Sequence, residues 1–264
     1  MKTPRSFFIF GLASLCAVTS PAQTAPATKA ASALAAESNF ALPATDDGLA
    51  GTGPIRRYDW FQKLWTEKRS GWAKRVKQDQ DGVVFLGDSI TQGWAANLNQ
   101  LFPGIKTINR GISGDTTRGV LLRLQEDVIA LKPRGIVLLI GTNDLEESAA
   151  PESTASNLKL ILAALKAHNP AMPVVLCNVF PSSATKKRPA DQIKKINQLC
   201  YALLKDEPQV TLVDTWSLFA NAQGDAKPEE FPDLLHPNSA GYIKLSAALR
   251  PIMETVGLAP AWPD

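Results

Sequence analysis

Five short runs rich in β-branched residues recur along this chain: VVFLG (83–87), IKTIN (105–109), GIVLLIG (135–141), PVVLCNVF (173–180) and VTLVD (210–214). Several are apolar at every position, as strands buried on both faces must be. Between them lie TTRGVLLRLQEDVIALK, PESTASNLKLILAALKAHN and PADQIKKINQLCYALLKD, and PNSAGYIKLSAALRPIMETV follows the last. In the second of these, Leu158, Ile161, Leu162 and Leu165 fall at i, i+3, i+4 and i+7, the period of one helix face. Strands alternating with helices imply right-handed βαβ crossovers and a parallel sheet. The expected class is therefore α/β, a flavodoxin-like three-layer sandwich on a five-stranded parallel sheet. Such sheets bind ligands beyond the carboxyl ends of their strands. Those ends read GDS, NRGISGD, GTND and, less cleanly, NVFPSS.

The chain ahead of the first run divides into three parts. Lys2 and Arg5 precede the apolar run Phe7 to Val18, and small residues follow at Ser20 and Ala22. This is the pattern of a secretory signal peptide over residues 1–22, with export to the periplasm or outside the cell. The run falls short of the roughly 20 residues that span a bilayer, so no stable membrane insertion is expected. Leu15 ahead of Cys16 argues against a lipoprotein signal. Residues 23–53 are dominated by Ala, Thr, Ser, Pro and Gly and carry few large side chains, which reads as a flexible linker. In the stretch 57–77, Trp60, Leu64, Trp72 and Val76 lie among charges, as in one or two amphipathic helices whose aromatics face the core. Residues 54–264, about 210 in all, suffice for one domain with its own core.

Composition excludes several partners. Without Lys2 and Arg5, 26 basic and 25 acidic residues remain, a net charge of +1. No basic field marks nucleic acid or an anionic membrane as a partner. Cys177 sits in an apolar run and Cys200 in a helical stretch, positions typical of buried free thiols, although an exported protein could pair them. With two histidines in the chain and no ligand spacing between the cysteines, a zinc cluster is not expected.

Those two histidines also limit which base could activate a nucleophile. A serine hydroxyl needs a neighbouring base, and Ser89 of GDS stands where the first strand ends. His168, at the end of a helix, is explained by bonding to terminal carbonyls. His236 lies in FPDLLHPNSAGY with Asp233 three residues before it, and a carboxylate that orients an imidazole is the third member of a triad. The alternative is that Pro237, Asn238 and Ser239 merely start a helix. Donors for an oxyanion are available in the Ser89 N–H, the Gly114 N–H of NRGISGDTT and the Asn143 side chain of GTND. Each has a plain structural alternative: Gly111 and Gly114 as turn residues, Asn143 as a helix cap. Thr91 occupies the place of the second glycine of a G-x-S-x-G elbow, so that motif is absent.

Taken together, GDSIT, NRGISGDTT, GTND and DLLHPN stand in the order and near the spacing of the GDSL, or SGNH, hydrolase family, which this chain resembles over about residues 57–255. Within it, VVFLGDS and NRGISGDTTRGVLLRL are similar to the alpha subunits of platelet-activating-factor acetylhydrolase and to bacterial lysophospholipase-like relatives. The resemblance implies the SGNH hydrolase fold. It implies Ser89 as nucleophile, His236 as general base and Asp233 as its orienting acid. It also implies an oxyanion hole of the Ser89 amide, Gly114 and Asn143. Gly114 is preferred to Gly111 because it aligns with the Ser-Gly-Asp turn. Ile90 departs from the family's leucine and keeps its apolar character. Asp88 is read as a cap of the following helix or a brace of the loop, outside the triad.

The functional expectation is a secreted serine esterase working through an acyl-serine, without metal or organic cofactor. Its substrates are expected to be small-molecule or glycan esters, with short acetyl groups on carbohydrate preferred. Lysophospholipid hydrolysis, acyl transfer to an alcohol, and a non-catalytic carbohydrate-binding protein on the same fold are the alternatives. The run TKKRP (185–189), which follows the fourth strand, reads as a solvated loop, with a place on the border of the cleft as the alternative.

Overall fold

A computed structural model describes residues 40–95, 97–205 and 207–260. The expected signal peptide, its cleavage point and residues 23–39 of the expected linker lie outside those residues. The described chain runs through α1 (Asp59–Ala73), β1 (Val83–Gly87), α2 (Ser89–Gly93), α3 (Leu98–Leu101), β2 (Thr107–Gly111) and α4 (Thr117–Asp127). It continues with β3 (Gly135–Leu139), α5 (Thr142–Glu146), α6 (Pro151–His168), β4 (Val174–Cys177) and α7 (Ala190–Leu203). β5 (Val210–Val213), α8 (Thr215–Phe219) and α9 (Ser239–Thr255) complete it.

The five strands form one parallel sheet in the order β2-β1-β3-β4-β5. Alternate side chains of each strand enter opposite cores. Val84 and Leu86 of β1, Ile136 and Leu138 of β3, and Val174 and Leu176 of β4 join one cluster with residues of α4, α6 and α7. Val83 and Phe85, Val137 and Leu139, and Val175 and Cys177 join the other, with residues of α2, α3 and α9. That two-sided burial is why the strand sequences are continuously apolar. Cys177 and Cys200 are both free and buried, and burial pushes each thiol up to about 12.

Several boundaries differ from those read in the sequence: β4, expected over 173–180, spans Val174–Cys177, and β3, expected to 141, ends at Leu139. The second strand is expected at 105–109 but lies two residues later, because Val83 pairs with Thr107 and Gly87 with Gly111. The chain is still leaving the Gly104 turn at Ile105. The helix expected to run through Lys132 ends at Asp127. A 3-10 turn, Ile129–Leu131, follows, and Lys132 ahead of Pro133 takes a left-handed φ of 49°, since a residue before proline is pushed out of the helical region.

The linker expectation needs a larger correction. From residue 40 the chain is an arm packed on the domain. Leu42 and Ile55 are buried in a third cluster with Phe61, Trp65 and Ile112. Thr52 and Asn157 exchange two hydrogen bonds, Thr52 N–H to Oδ1 at 2.9 Å and Asn157 Nδ2–H to the Thr52 carbonyl at 2.7 Å. Arg118 pairs with Asp46 and donates to the Gly53 carbonyl at 2.8 Å. The Thr116 hydroxyl donates to the Pro54 carbonyl at 2.9 Å. A segment poor in large side chains is thus held by its backbone carbonyls, which compositional reasoning does not weigh.

The core-facing residues expected over 57–77 hold for Leu64, Trp72 and Val76, which pack against buried clusters, but not for Trp60, which is 49% exposed. Phe61, Trp65 and Arg69 are the buried residues of α1. Arg69 lies on the same inward face as Phe61 and Trp65 and pairs there with the buried Asp127 carboxylate at 2.9 Å. A charged residue thereby occupies a core-facing position that hydrophobic periodicity does not assign to it.

Candidate active site

In this strand order the connections reverse direction between β1 and β3, the place where a parallel sheet opens a crevice at its carboxyl edge. Ser89 follows β1 and Asn143 follows β3, so both border that crevice. Gly87 ends β1 without a side chain because a Cβ there would lie 2.2 Å from the Leu139 carbonyl oxygen and 2.3 Å from the Thr91 hydroxyl. The backbone turns at once into α2, capped by Asp88, whose Oδ1 accepts the Ile90 N–H at 3.0 Å. Ser89 is left half-buried at the first position of that helix, where its N–H has no preceding turn to bond to. Gly111 lets β2 meet the same helix, since a Cβ would stand 2.2 Å from the Gln92 nitrogen.

The histidine comes from the opposite end of the chain. In DLLHPN, Asp233 Oδ1 accepts the N–H groups of Leu235 and His236, at 3.0 and 2.7 Å. Leu234 takes a left-handed φ of 61° between them, an uncommon conformation for a branched residue. The tight turn brings the second carboxylate oxygen, Oδ2, to 2.7 Å from His236 Nδ1. His236 Nε2 lies 3.0 Å from Ser89 Oγ. The Ser182 hydroxyl fastens the turn by donating to the Leu234 carbonyl at 2.7 Å. From α9, the Tyr242 hydroxyl donates to the Ile90 carbonyl at 2.8 Å, clamping the helix that follows the histidine to the serine's. Burial opposes ionisation of Asp233, but the His236 amide, its ring and the Leu235 amide outweigh it and hold the carboxyl below its ordinary range. A charged carboxylate is what a neighbouring imidazolium requires.

Asn143 is fixed at both ends. Its Nδ2 donates to the Asp115 carbonyl at 2.9 Å, and its Oδ1 accepts from Arg188 at 2.9 Å. A guanidinium only donates and a carbonyl only accepts, so the amide has a single orientation with its second N–H still available. Gly114, in the turn after β2, has φ 86°. Among the described residues no acceptor takes its N–H. The turn is tied to the serine helix where Ser113 N–H donates to Gln92 Oε1 at 2.9 Å. Every polar group that the sequence singles out for the triad and the oxyanion thus lies on the carboxyl-edge loops or the α9 approach. His168 stays apart in the last turn of α6.

A model of the GDSL-like lipase/acylhydrolase family matches residues 85–243, a span that contains all of these groups. The chain belongs to that family. It is similar to platelet-activating factor acetylhydrolase IB subunit alpha2 of Homo sapiens, with 28% identity over 72% of this chain and 83% of the relative. A GDSL-like lipase from Bacteroides thetaiotaomicron superposes with a TM-score of 0.61 at 28% identity, over 73% of this chain and 97% of that one. A catalytic mutant of an acetylxylan esterase from Geobacillus stearothermophilus shares the fold, with a TM-score of 0.54 at 21% identity over 69% and 99%. The GDSL-like chain described here is accordingly an ester-bond hydrolase on an α/β fold.

Beneath the crevice lies a buried acidic layer that the sequence reading passes over except at Asp88. Asp88, Asp115 and Asp144 follow β1, β2 and β3 and are at most 1% exposed. Burial pushes Asp88 up to about 7 against the pull of the Ile90 amide, and its Oδ2 has no hydrogen-bond partner. Asp144 rises to about 7 for the same reason despite accepting the Thr117 N–H at 2.9 Å and the Thr117 hydroxyl. Asp115 reaches about 6: desolvation outweighs its 2.8 Å ion pair with Arg123. Among the described residues, no group of three or more His, Cys, Asp or Glu could hold a metal ion.

Arg188 corrects the reading of TKKRP. Lys187 is exposed, but Arg188 is 2% exposed and donates to Thr142 O (3.0 Å), Lys186 O (2.6 Å), Asn143 Oδ1 and Glu146 Oε2 (2.8 Å). The loop curls through a 3-10 turn, Ala184–Lys186, with Lys187 at φ 59°, and this turns one cation of three inward. The only sequence signal is the Arg itself: a planar fork of donors is suited to gathering several buried acceptors where a lysine is not.

Proposed function

We propose that this chain is an exported serine esterase, with Ser89 as nucleophile, acting on short acyl groups carried by carbohydrate or similarly polar alcohols. The observation that carries the catalytic part is the continuous hydrogen-bonded chain from Asp233 Oδ2 through the His236 ring to Ser89 Oγ, at 2.7 and 3.0 Å. His236 takes the hydroxyl proton as Oγ bonds to the acyl carbon, and Asp233 steadies the resulting imidazolium. Charge gathers on the former carbonyl oxygen, toward the Ser89 N–H, the Gly114 N–H and the free Asn143 N–H. Collapse breaks the ester C–O bond, and His236 returns its proton to the departing alcohol. Water then attacks the acyl-serine, gives its proton to His236, and Oγ leaves with that proton restored. Each step draws on groups of this chain alone.

The polar-alcohol part of the reading is supported by openness. The side chains of His236 and Asp233 are 43% and 46% exposed. A site this open admits a bulky alcohol, whereas a long acyl chain left in water would forgo about 0.8 kcal/mol for each unburied methylene. The charged n-region, apolar h-region and Ala22 support export. The test is turnover of p-nitrophenyl acetate, butyrate and octanoate by the mature protein and by Ser89→Ala. Turnover that falls with acyl length and vanishes in the variant is expected. Equal turnover by a folded Ser89→Ala protein would refute the assignment of the nucleophile.

A further inference from the structure

Next to the crevice stands a pair of aromatic rings, each left about half exposed to solvent. Tyr58 is 54% exposed and Trp60 49% exposed. Their centroids are 6.4 Å apart and their planes 19° from parallel. Exposed aromatics of this size usually turn inward, and α1 has an inward face that Phe61 and Trp65 use. Trp60 instead borders the oxyanion side of the site. A Cβ on Gly114 would stand 2.6 Å from the far edge of its indole ring and 2.9 Å from Arg56 Nη1.

The pair is also held rigid. The Arg56 guanidinium lies 5.8 Å from the Tyr58 ring centroid and 5.7 Å from that of Trp60. Arg56 is 6% exposed and is itself fixed by Glu146 and Glu147, at 2.5 and 2.7 Å. Trp60 further meets Phe61 edge to face at 5.7 Å. Such rings lose little freedom when something is laid on them, so the contact area they offer is not offset by ordering. Beside them Glu147 is taken up by Arg56 and the Tyr58 hydroxyl, whereas Glu146, 37% exposed, binds Arg56 and Arg188 through Oε2 and keeps Oε1 as an acceptor for a hydroxyl group.

A flat, electron-rich, amphipathic surface edged by a carboxylate matches one ligand chemistry well. A pyranose ring has an apolar face of electron-poor C–H bonds and a rim of hydroxyl donors. The aromatic faces are negative in their quadrupole, and the Glu146 carboxylate accepts from the rim. An acyl chain would use the rings but leave that carboxylate oxygen unused. We propose that Tyr58 and Trp60 form a sugar-stacking subsite that holds a glycosyl residue of the ester's alcohol portion beside the oxyanion hole. This rests on the esterase reading above and names the alcohol side of its substrate.

The test compares wild type with Trp60→Ala, Trp60→Phe and the double variant Tyr58→Ala/Trp60→Ala. Substrates are O-acetylated cellotriose and xylotriose alongside p-nitrophenyl acetate. The kcat/KM ratio of acetylated trisaccharide to p-nitrophenyl acetate should fall at least tenfold in Trp60→Ala. It should fall further in the double variant and recover largely in Trp60→Phe, which keeps a ring. Unacetylated trisaccharide should inhibit wild-type hydrolysis of p-nitrophenyl acetate competitively, and at least tenfold more weakly in Trp60→Ala. A ratio unchanged by Trp60→Ala overturns the subsite. So does a wild type that cleaves p-nitrophenyl acetate in a Ser89-dependent manner but no acetylated sugar. A Trp60→Ala defect confined to lysophosphatidylcholine would assign the rings to a lipid instead. Loss of Ser89 dependence on p-nitrophenyl acetate would sink the esterase reading itself, and that control distinguishes the two failures.

Discussion

Replacing Arg188 probes how firmly the oxyanion amide must be held. Its guanidinium pins the Asn143 Oδ1 at 2.9 Å and the Thr142 carbonyl at 3.0 Å, both buried. Arg188→Ala would leave two buried acceptors unsatisfied at about 1–3 kcal/mol each, a loss that threatens folding. Arg188→Lys keeps the charge and reaches one acceptor, so it is the informative variant. Full loss of an oxyanion donor costs about 2.7–4 kcal/mol, a factor of roughly 10²–10³ in kcat. In Arg188→Lys the amide is still held by the Asp115 carbonyl at 2.9 Å, so part of that loss is expected, roughly 10- to 30-fold, or about 1.4–2 kcal/mol. KM should change little, because the amide meets charge that develops only in the transition state. In Asn143→Ala the tether has nothing left to orient, and adding Arg188→Lys should cost almost nothing more. Steady-state kinetics on p-nitrophenyl acetate for the two single variants and the double, with melting curves as a fold control, complete the cycle. Multiplicative losses, or an Arg188→Lys enzyme that raises KM and spares kcat, would refute a positioning role.

Other expectations follow from the same geometry. Ser89→Ala and His236→Ala should each abolish turnover and the double variant should be little worse, because members of one proton-transfer unit do not contribute additively; kcat measurements on all three decide it. Burial lifts Asp88 to about 7 from an ordinary 3.8, so between those values the native state holds a proton the unfolded chain has released. The stability that proton confers is full below about 3.8 and is lost as pH rises through about 7. Asp88→Asn keeps the acceptor for Ile90 and cannot ionise, so its melting temperature should gain on wild type between pH 5 and pH 8; a pH-independent difference would contradict the buried carboxyl. Asn157→Ala removes both bonds to Thr52 and the 3.0 Å bond to the Thr117 hydroxyl. It should destabilise by about 2–4 kcal/mol and open the 40–54 arm to protease before the domain melts, and an arm as resistant as in wild type would refute its anchoring there.

Much of this protein is determined by the sequence alone. Continuously apolar β-branched runs can be satisfied only between two layers of helices, so the parallel α/β sandwich follows from burial. Local chemistry is legible too: Gly87 before Ser89 marks a crowded turn, and Asp233 three residues before His236 suits a carboxylate that caps its own turn. What tertiary structure alone decided are properties that depend on partners remote in the chain. Arg69 is buried on the inward face of α1 by its pairing with Asp127, while Trp60 lies outside. The arm from residue 40 is ordered by hydrogen bonds from Asn157, Arg118 and Thr116, although its composition reads as unsupported. Arg188, which the sequence marks only by being an arginine beside two lysines, became the brace of Asn143 because the 3-10 turn before it aimed its fork at buried carbonyls. Hydrophobic patterning records which side chains leave water, but buried charges and backbone acceptors find their partners only when distant segments meet.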